Sequence, residues 1–349
     1  MSHVVFAAGT SHTPLLTFSA ELWEEYARRD TKNQRLNTLN GDYISYDMLL
    51  ERVQGRFAPE ATYEVFVAKN AICQNSIHRI AGELKAARPD VVIIITDDES
   101  ELFGLANTPA VSIYYGETGI TLPYAFRHTT LDRSSQFYKE MTKQYLMDKS
   151  HSFPAMPIFS KRLIELLIEK HVDVGAAAQI KDPERSGFGH GIGFVINRLL
   201  SGLNVPVIPL LLNTYYPPNV PVPARCFDIG RALRDAIENS GQELRVAVIA
   251  SGGLSHFVVE EELDRNVLHA LRNNDSQTLR SIPVKYLNAG SSEIRNWIAM
   301  AGAIEGLVIQ WDEYQPLYRT EAGTGVGAAF AVWRDPNELR SEKVSAKTE

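Results

Sequence analysis

The chain has 349 residues, 44% of them hydrophobic and 22% charged, which is enough apolar material for a substantial core in one large domain or two modest ones. Its net charge is −7 and its Lys and Arg residues are scattered, so neither nucleic acid nor an anionic membrane surface is an expected partner. Two cysteines without CxxC spacing, Cys73 and Cys226, exclude a disulfide framework, and no apolar run approaches the length of a membrane span.

The N-terminus lacks the basic-then-apolar form of a signal peptide, so a reducing cytoplasm is the expected setting. Residues 4–8 form a short apolar run and lead into GTSHTP, which carries His12. A mostly polar, helix-favouring stretch follows over residues 22–88 and reads as a helical insertion. It contains YEVFVAKNAICQNSIHRIAGELKAA. The next run, residues 91–96, belongs to DVVIIITDDE and stops on Asp97, Asp98 and Glu99. Residues 110–115 form another run, after which LPYAFRHTT, with His128, reads as a segment able to cover a crevice. A helical spacing of apolar residues over 160–170 precedes GFGHGIGF, which carries His190. The run 205–212 ends in NTYYPPN, with Tyr215 and Tyr216, and a helix is predicted over 227–238. Residues 246–249 lead to ASGGLSH, with His256; a helix over 292–303 carries Glu293; and 328–333 form the last apolar run. Of the remaining histidines, His78, His151, His171 and His269 read as surface or structural. The charged, core-poor stretch 336–349 reads as a flexible tail after a single domain over 1–335.

Short continuous apolar runs are the pattern of strands buried on both faces, and their alternation with helices predicts an α/β fold: a central, mostly parallel or mixed sheet flanked by helices. In such sheets, ligands bind beyond the carboxyl ends of the strands, so the polar residues at four strand ends should converge on one crevice. Each has an ordinary reading as well. A histidine after a strand is often a hydrogen-bonded loop residue, an acidic triplet can cap a helix, and Glu293 can be an exposed first-turn carboxylate. The joint occurrence favours a site.

In combination and order, these motifs resemble the class III extradiol ring-cleavage dioxygenases, typified by the catalytic subunit of protocatechuate 4,5-dioxygenase, and the long insertion is similar to that of the gallate and methylgallate dioxygenase relatives. The resemblance implies that His12 and Glu293 are metal ligands and that His190 and His256 are active-site histidines outside the metal shell, one acting as base and the other as acid. It further implies Fe(II), with Mn(II) as the alternative, a small aromatic catechol-type substrate, O2, and a homodimer. Tyr215 or Tyr216 is expected to contact the substrate. The chain departs from the family where a second histidine ligand is usual: TDDE puts Glu99 there, or Asp98 if the register slips by one. A metal held by one imidazole and two carboxylates would be neutral, a weaker Lewis acid than the usual site and more hospitable to harder ions. The same carboxylates also fit a position outside the metal shell. Two other readings stay open: a noncatalytic subunit or binding protein of the same fold, and a metal-dependent hydrolase.

Overall fold

A computed structural model of the protein describes residues 1–104, 106–126 and 132–339. Nine strands form one sheet: β1 (His3–Thr10), β2 (Val91–Asp97), β3 (Val111–Tyr114), β4 (Gly175–Ala177), β5 (Val207–Leu212), β6 (Arg245–Ser251), β7 (His256–Val258), β8 (Val308–Tyr318) and β9 (Thr324–Arg334). Their order is β7-β9-β1-β6-β2-β5-β3-β4, with β8 on the free side of β9. The centre is parallel, β1 against β6, β6 against β2 and β2 against β5, while β9 runs antiparallel to β1, β7 and β8. This is the mixed α/β architecture that the alternating pattern predicts.

The continuous apolar runs have a direct cause. In β2 the side chains of Val91, Ile93 and Ile95 enter one core, and those of Val92 and Ile94 enter a second core on the opposite face. The first core is covered by α3 (Pro157–Glu169), α5 (Pro223–Glu238), α6 (Glu261–Arg272) and α7 (Ile294–Ala303); the second by α1 (Tyr63–Ala87), α2 (Gln136–Gln144) and α4 (His190–Arg198). Within the predicted insertion, α1 supplies most of the helix, and Thr62 caps it by accepting the Val65 N–H. The insertion also holds a two-stranded hairpin, Leu36–Asn37 with Tyr43–Ile44.

All six apolar runs are strands, and the three helical spacings fall in α3, α5 and α7. Strands β4, β7 and β8 were not anticipated. Residues 336–339 make a helical turn on which Glu338 accepts two bonds from Arg245, at 2.9 and 2.8 Å, while the rest of the expected tail lies outside the described residues. So does His128 of the expected covering segment. Among the described residues, no helix is long and apolar enough to cross a membrane. Both cysteines are free and buried, and burial pushes the Cys226 thiol up to about 12, so neither has the thiolate character of a nucleophile.

Candidate active site

The parallel register aligns three strand ends. Thr10 of β1 pairs with Ser251 of β6, and Ile95 of β2 with Ala250 of β6, so the segments leaving these strands share one rim.

His12 follows β1 and is buried. Tyr145 pins its backbone by donating to the His12 carbonyl at 2.6 Å. The ring orientation is set at Nδ1, which lies 2.9 Å from the Ser251 hydroxyl. That hydroxyl has one hydrogen and donates it to the Gly191 carbonyl at 2.9 Å, so it must accept from His12, and Nδ1 carries the proton. Nε2 is then left with a bare lone pair, buried and without a hydrogen-bond partner. Burial lowers the pKa of His12 despite the opposing pull of Glu293, so the ring is neutral near pH 7.

Glu293 ends a 3-10 turn, Ala289–Glu293, that leads into α7. Its Oε2 accepts the Gly253 N–H at 2.6 Å and lies 3.4 Å from His12 Nε2, while Oε1 lies 3.2 Å from His256 Nε2. Burial alone would raise this carboxyl, but chiefly the pull of His256 outweighs burial and holds it well below the usual range. The alternative of an exposed first-turn carboxylate is overturned: Glu293 is 3% exposed.

Asp97, the last residue of β2, completes the group. Oxygens of Asp97 and Glu293 and a ring nitrogen of His12 all lie within 4.8 Å of one another. Asn296 donates to Asp97 Oδ1 at 3.1 Å, and Oδ2 is buried without a partner. Burial, then the charges of Glu293 and Glu99, push the Asp97 carboxyl well up. This is a buried cluster short of positive charge, with two unpartnered ligand atoms among its members.

The other two acidic residues of the triplet behave differently. Asp98 turns to the backbone: its oxygens accept the N–H groups of Leu102 and Phe103 at 2.8 and 3.0 Å, closing the turn after β2. Burial, with Glu101 beside it, raises it to about 7. The expectation that Asp98 faces the metal position is therefore corrected; the backbone needed those acceptors. Glu99 does face the cavity, but its carboxylate gathers with Glu101 and His190, again within 4.8 Å, rather than with His12 and Glu293.

His190 opens α4, and its Nδ1 donates to Glu101 Oε1 at 2.9 Å, which leaves Nε2 as the basic nitrogen. Its ring meets that of His12 edge-on, with centroids 4.6 Å apart. A side chain in place of Gly189 would meet the Glu101 carboxylate and push it from its place beside His190. His256 differs, because Nδ1 donates to the Leu254 carbonyl at 2.8 Å while Nε2 faces Glu293. Both nitrogens meet acceptors, so the ring is held as a donor. Burial opposes the charged form, yet Glu293 outweighs it and raises the pKa of His256.

The loop carrying His256 is tied down by buried Asp264, which accepts from the Ser255 N–H and hydroxyl at 2.8 and 2.7 Å and from the Tyr314 hydroxyl at 2.7 Å. Burial, partly offset by those bonds, pushes Asp264 from 3.8 to about 6. Since the folded value lies above the unfolded one, the stabilising contribution is complete below pH 3.8 and is lost as pH rises through 6. In Asp264→Asn, the fall in unfolding free energy between pH 4.5 and 7 should be smaller than in the wild type, by about 2 kcal/mol. An equal fall in both proteins would remove Asp264 as its source.

His12, Glu99, His190, Tyr215, His256 and Glu293 line one cavity of about 160 Å³, and Pro14, Tyr26, Tyr145, Phe257 and Val326 supply much of the rest of its wall. Tyr215 is there as expected, and burial pushes its hydroxyl well up, so it stays protonated. Tyr216 does not line the cavity; its N–H donates to Asn213 Oδ1 at 2.8 Å, and its ring lies 6.3 Å from that of Tyr215, tilted by 44°. Sequence reasoning missed Asp97 as a member of the group, Glu101, Tyr145 and Arg319. Asp97 and Glu101 sit within two residues of Glu99 and were open to notice; Tyr145 and Arg319 have no local signal.

Residues 67–331 match the family described as the catalytic LigB subunit of aromatic ring-opening dioxygenase. That span is about three quarters of the chain, and the protein belongs to this family. A 141-residue stretch is 29% identical to a gallate dioxygenase of Pseudomonas putida, over 38% of this chain and 40% of that protein. The matched family region begins after His12, whose place in the site therefore rests on the geometry.

Proposed function

We propose that this protein is a non-haem, metal-dependent extradiol dioxygenase that opens the ring of a small catecholic compound of the gallate, methylgallate or protocatechuate kind with O2. One observation carries the reading: a neutral His12 offers a bare, buried Nε2 toward Glu293 and Asp97, inside a cavity that two further histidines with fixed protons also line.

The donor set fits a divalent cation. His12 Nε2 and Asp97 Oδ2 are buried without partners, and Glu293 is held ionised, so one imidazole and two carboxylates would hold the metal, with Glu99 as a further carboxylate beside them. Iron, or manganese as the alternative, would supply positions at which the two adjacent substrate oxygens and dioxygen meet. The carboxylates leave such a centre neutral, in place of the single positive charge that two imidazoles and one carboxylate would give.

The protein's own groups then have separable tasks. His190 Nε2 takes a phenolic proton, and Glu101, holding the other ring nitrogen at 2.9 Å, stabilises the imidazolium that results. His256 is held as a hydrogen-bond donor by Leu254 and Glu293 and returns a proton as the ring opens. Tyr145 and Ser251 keep His12 in the one tautomer that leaves Nε2 open. Pro14, Tyr26, Phe257 and Val326 give the ring apolar walls, and about 160 Å³ suits a single ring rather than a fused system.

A reducing, cytoplasmic setting goes with two buried free cysteines, and the homodimer implied by the family resemblance is measurable by light scattering. Oxygen uptake by the Fe(II)-loaded protein with gallate, methylgallate and protocatechuate tests the function. Uptake with at least one is expected. Bound metal without oxygen consumption would turn the reading toward a hydrolase, which the carboxylate-rich donors also suit, and absence of metal would turn it toward a binding protein.

A further inference from the structure

The cavity wall includes a fixed cation that the reaction described above does not use. Arg319 lies in the turn between β8 and β9 and is 6% exposed. Among the described residues, it is the only Arg or Lys lining the inner cavity. It also lines an adjoining outer depression of about 610 Å³, together with Tyr26 and Phe257, so it stands where the two meet.

Its bonding leaves capacity unused. Nε donates to Asp30 Oδ2 at 2.8 Å, and the guanidinium carbon is 5.4 Å from the centre of the Tyr26 ring. Among the described residues, no side chain or carbonyl accepts from either Nη nitrogen. An arginine kept for a structural ion pair would be expected to use its fork on the carboxylate, two parallel bonds being stronger than one. Here Asp30 and Tyr26 hold the side chain by its edge and its face, and the terminal nitrogens remain for another acceptor.

We propose that Arg319 is a specificity residue: its terminal nitrogens bind an anionic substituent, a carboxylate above all, on the ring whose hydroxyls face His12 and Glu293. The inference deepens the proposed function and rests on it. The rest of the cavity agrees with the assignment. Glu99 and Glu293 would repel a carboxylate placed near them, whereas Arg319, shared with the outer depression that neither of them lines, offers it a cationic partner. Asp30 prevents Arg319 from swinging out, which keeps its ordering cost low when substrate arrives.

The test compares matched pairs of substrates that differ by the acidic group: 3,4-dihydroxybenzoate against 4-methylcatechol, and gallate against pyrogallol. In Arg319→Gln, the ratio of kcat/KM for the acidic over the uncharged partner should fall about 10- to 100-fold, as expected for loss of a charge-assisted bond pair. Arg319→Lys should restore part of the ratio. Because Arg319→Gln leaves Asp30 buried without its cation, Asp30→Asn/Arg319→Gln is measured beside it and should show the same fall with a native near-UV circular dichroism spectrum. Unchanged ratios, or equal losses for both partners in folded variants, would overturn the proposal. Anaerobic calorimetric titration of the same pairs into wild type and variants reads Arg319 without turnover. If the wild type turns over none of these compounds, the proposed function fails while this binding comparison still decides the role of Arg319.

Discussion

The His12→Ala protein is expected to bind Fe(II) at least about 100-fold more weakly than the wild type, more than the loss typical of a residue that merely supports a ligand. The reason lies in the hydrogen-bond chain Gly191 carbonyl, Ser251 hydroxyl, His12 Nδ1, which fixes the neutral tautomer and aims the lone pair of Nε2 at Glu293 and Asp97. Anaerobic competition with a chromogenic chelator measures it. The same titration ranks the carboxylates: Asp97→Asn should weaken binding strongly and Glu99→Gln much less, because Asp97 stands with His12 and Glu293 while Glu99 stands with His190 and Glu101. The reverse ranking would return the third position to Glu99.

Loss of either cavity histidine should leave metal binding largely intact and cut ring cleavage. For His190→Phe and His256→Phe, a fall in kcat of about 10²- to 10⁴-fold is expected, the usual range for a positioned acid or base. The two should differ in character. His190 acts through Nε2, backed by Glu101, so Glu101→Gln should reproduce part of the His190→Phe loss while leaving a metal-loaded, folded protein. His256 acts as a donor held by Leu254 and Glu293, so His256→Gln, which retains a donor, should keep more activity than His256→Phe. Near-normal turnover in both phenylalanine variants would end the assignment of either residue to proton transfer.

Much of this architecture was legible because burial on both faces writes itself into composition. In β2, alternate residues feed two different cores, so no polar position interrupts the run, and the same holds for Val246, Val248 and Ala250 against Ala247 and Ile249 in β6. Strand β8 escaped notice for the opposite reason. It pairs on one side only, with β9, and most of its residues are half-buried, so Gln310, Asp312 and Glu313 break any apolar pattern.

At the site, His12 and His256 follow strands whose ends a parallel sheet delivers to one rim, while His190 and Glu293, singled out by the family resemblance, line the same cavity from the start of α4 and the turn before α7. The register within the acidic triplet was harder to read. Which of three consecutive carboxylates gathers with His12 and Glu293, and which with His190, depends on where β2 stops and on the turn that Asp98 closes through Leu102 and Phe103. A window of sequence does not contain that information. The pairing of Arg319 with Asp30, 289 residues apart, is further still from local reading, and Tyr145 reaches His12 across 133 residues. Tyr215 and Tyr216 were indistinguishable as neighbours, and only the Asn213 side chain, which fixes the loop at Tyr216, separates them.

The proposed chemistry requires a cation gathered by residues from three distant parts of the chain. Crystals grown with Fe(II) under anaerobic conditions, with anomalous differences collected on either side of the iron absorption edge, would test this most directly. A single strong peak in contact with His12 Nε2 and with carboxylate oxygens of Glu293 and Asp97 is the predicted result. No peak in that cavity, or one held elsewhere without His12, would contradict it.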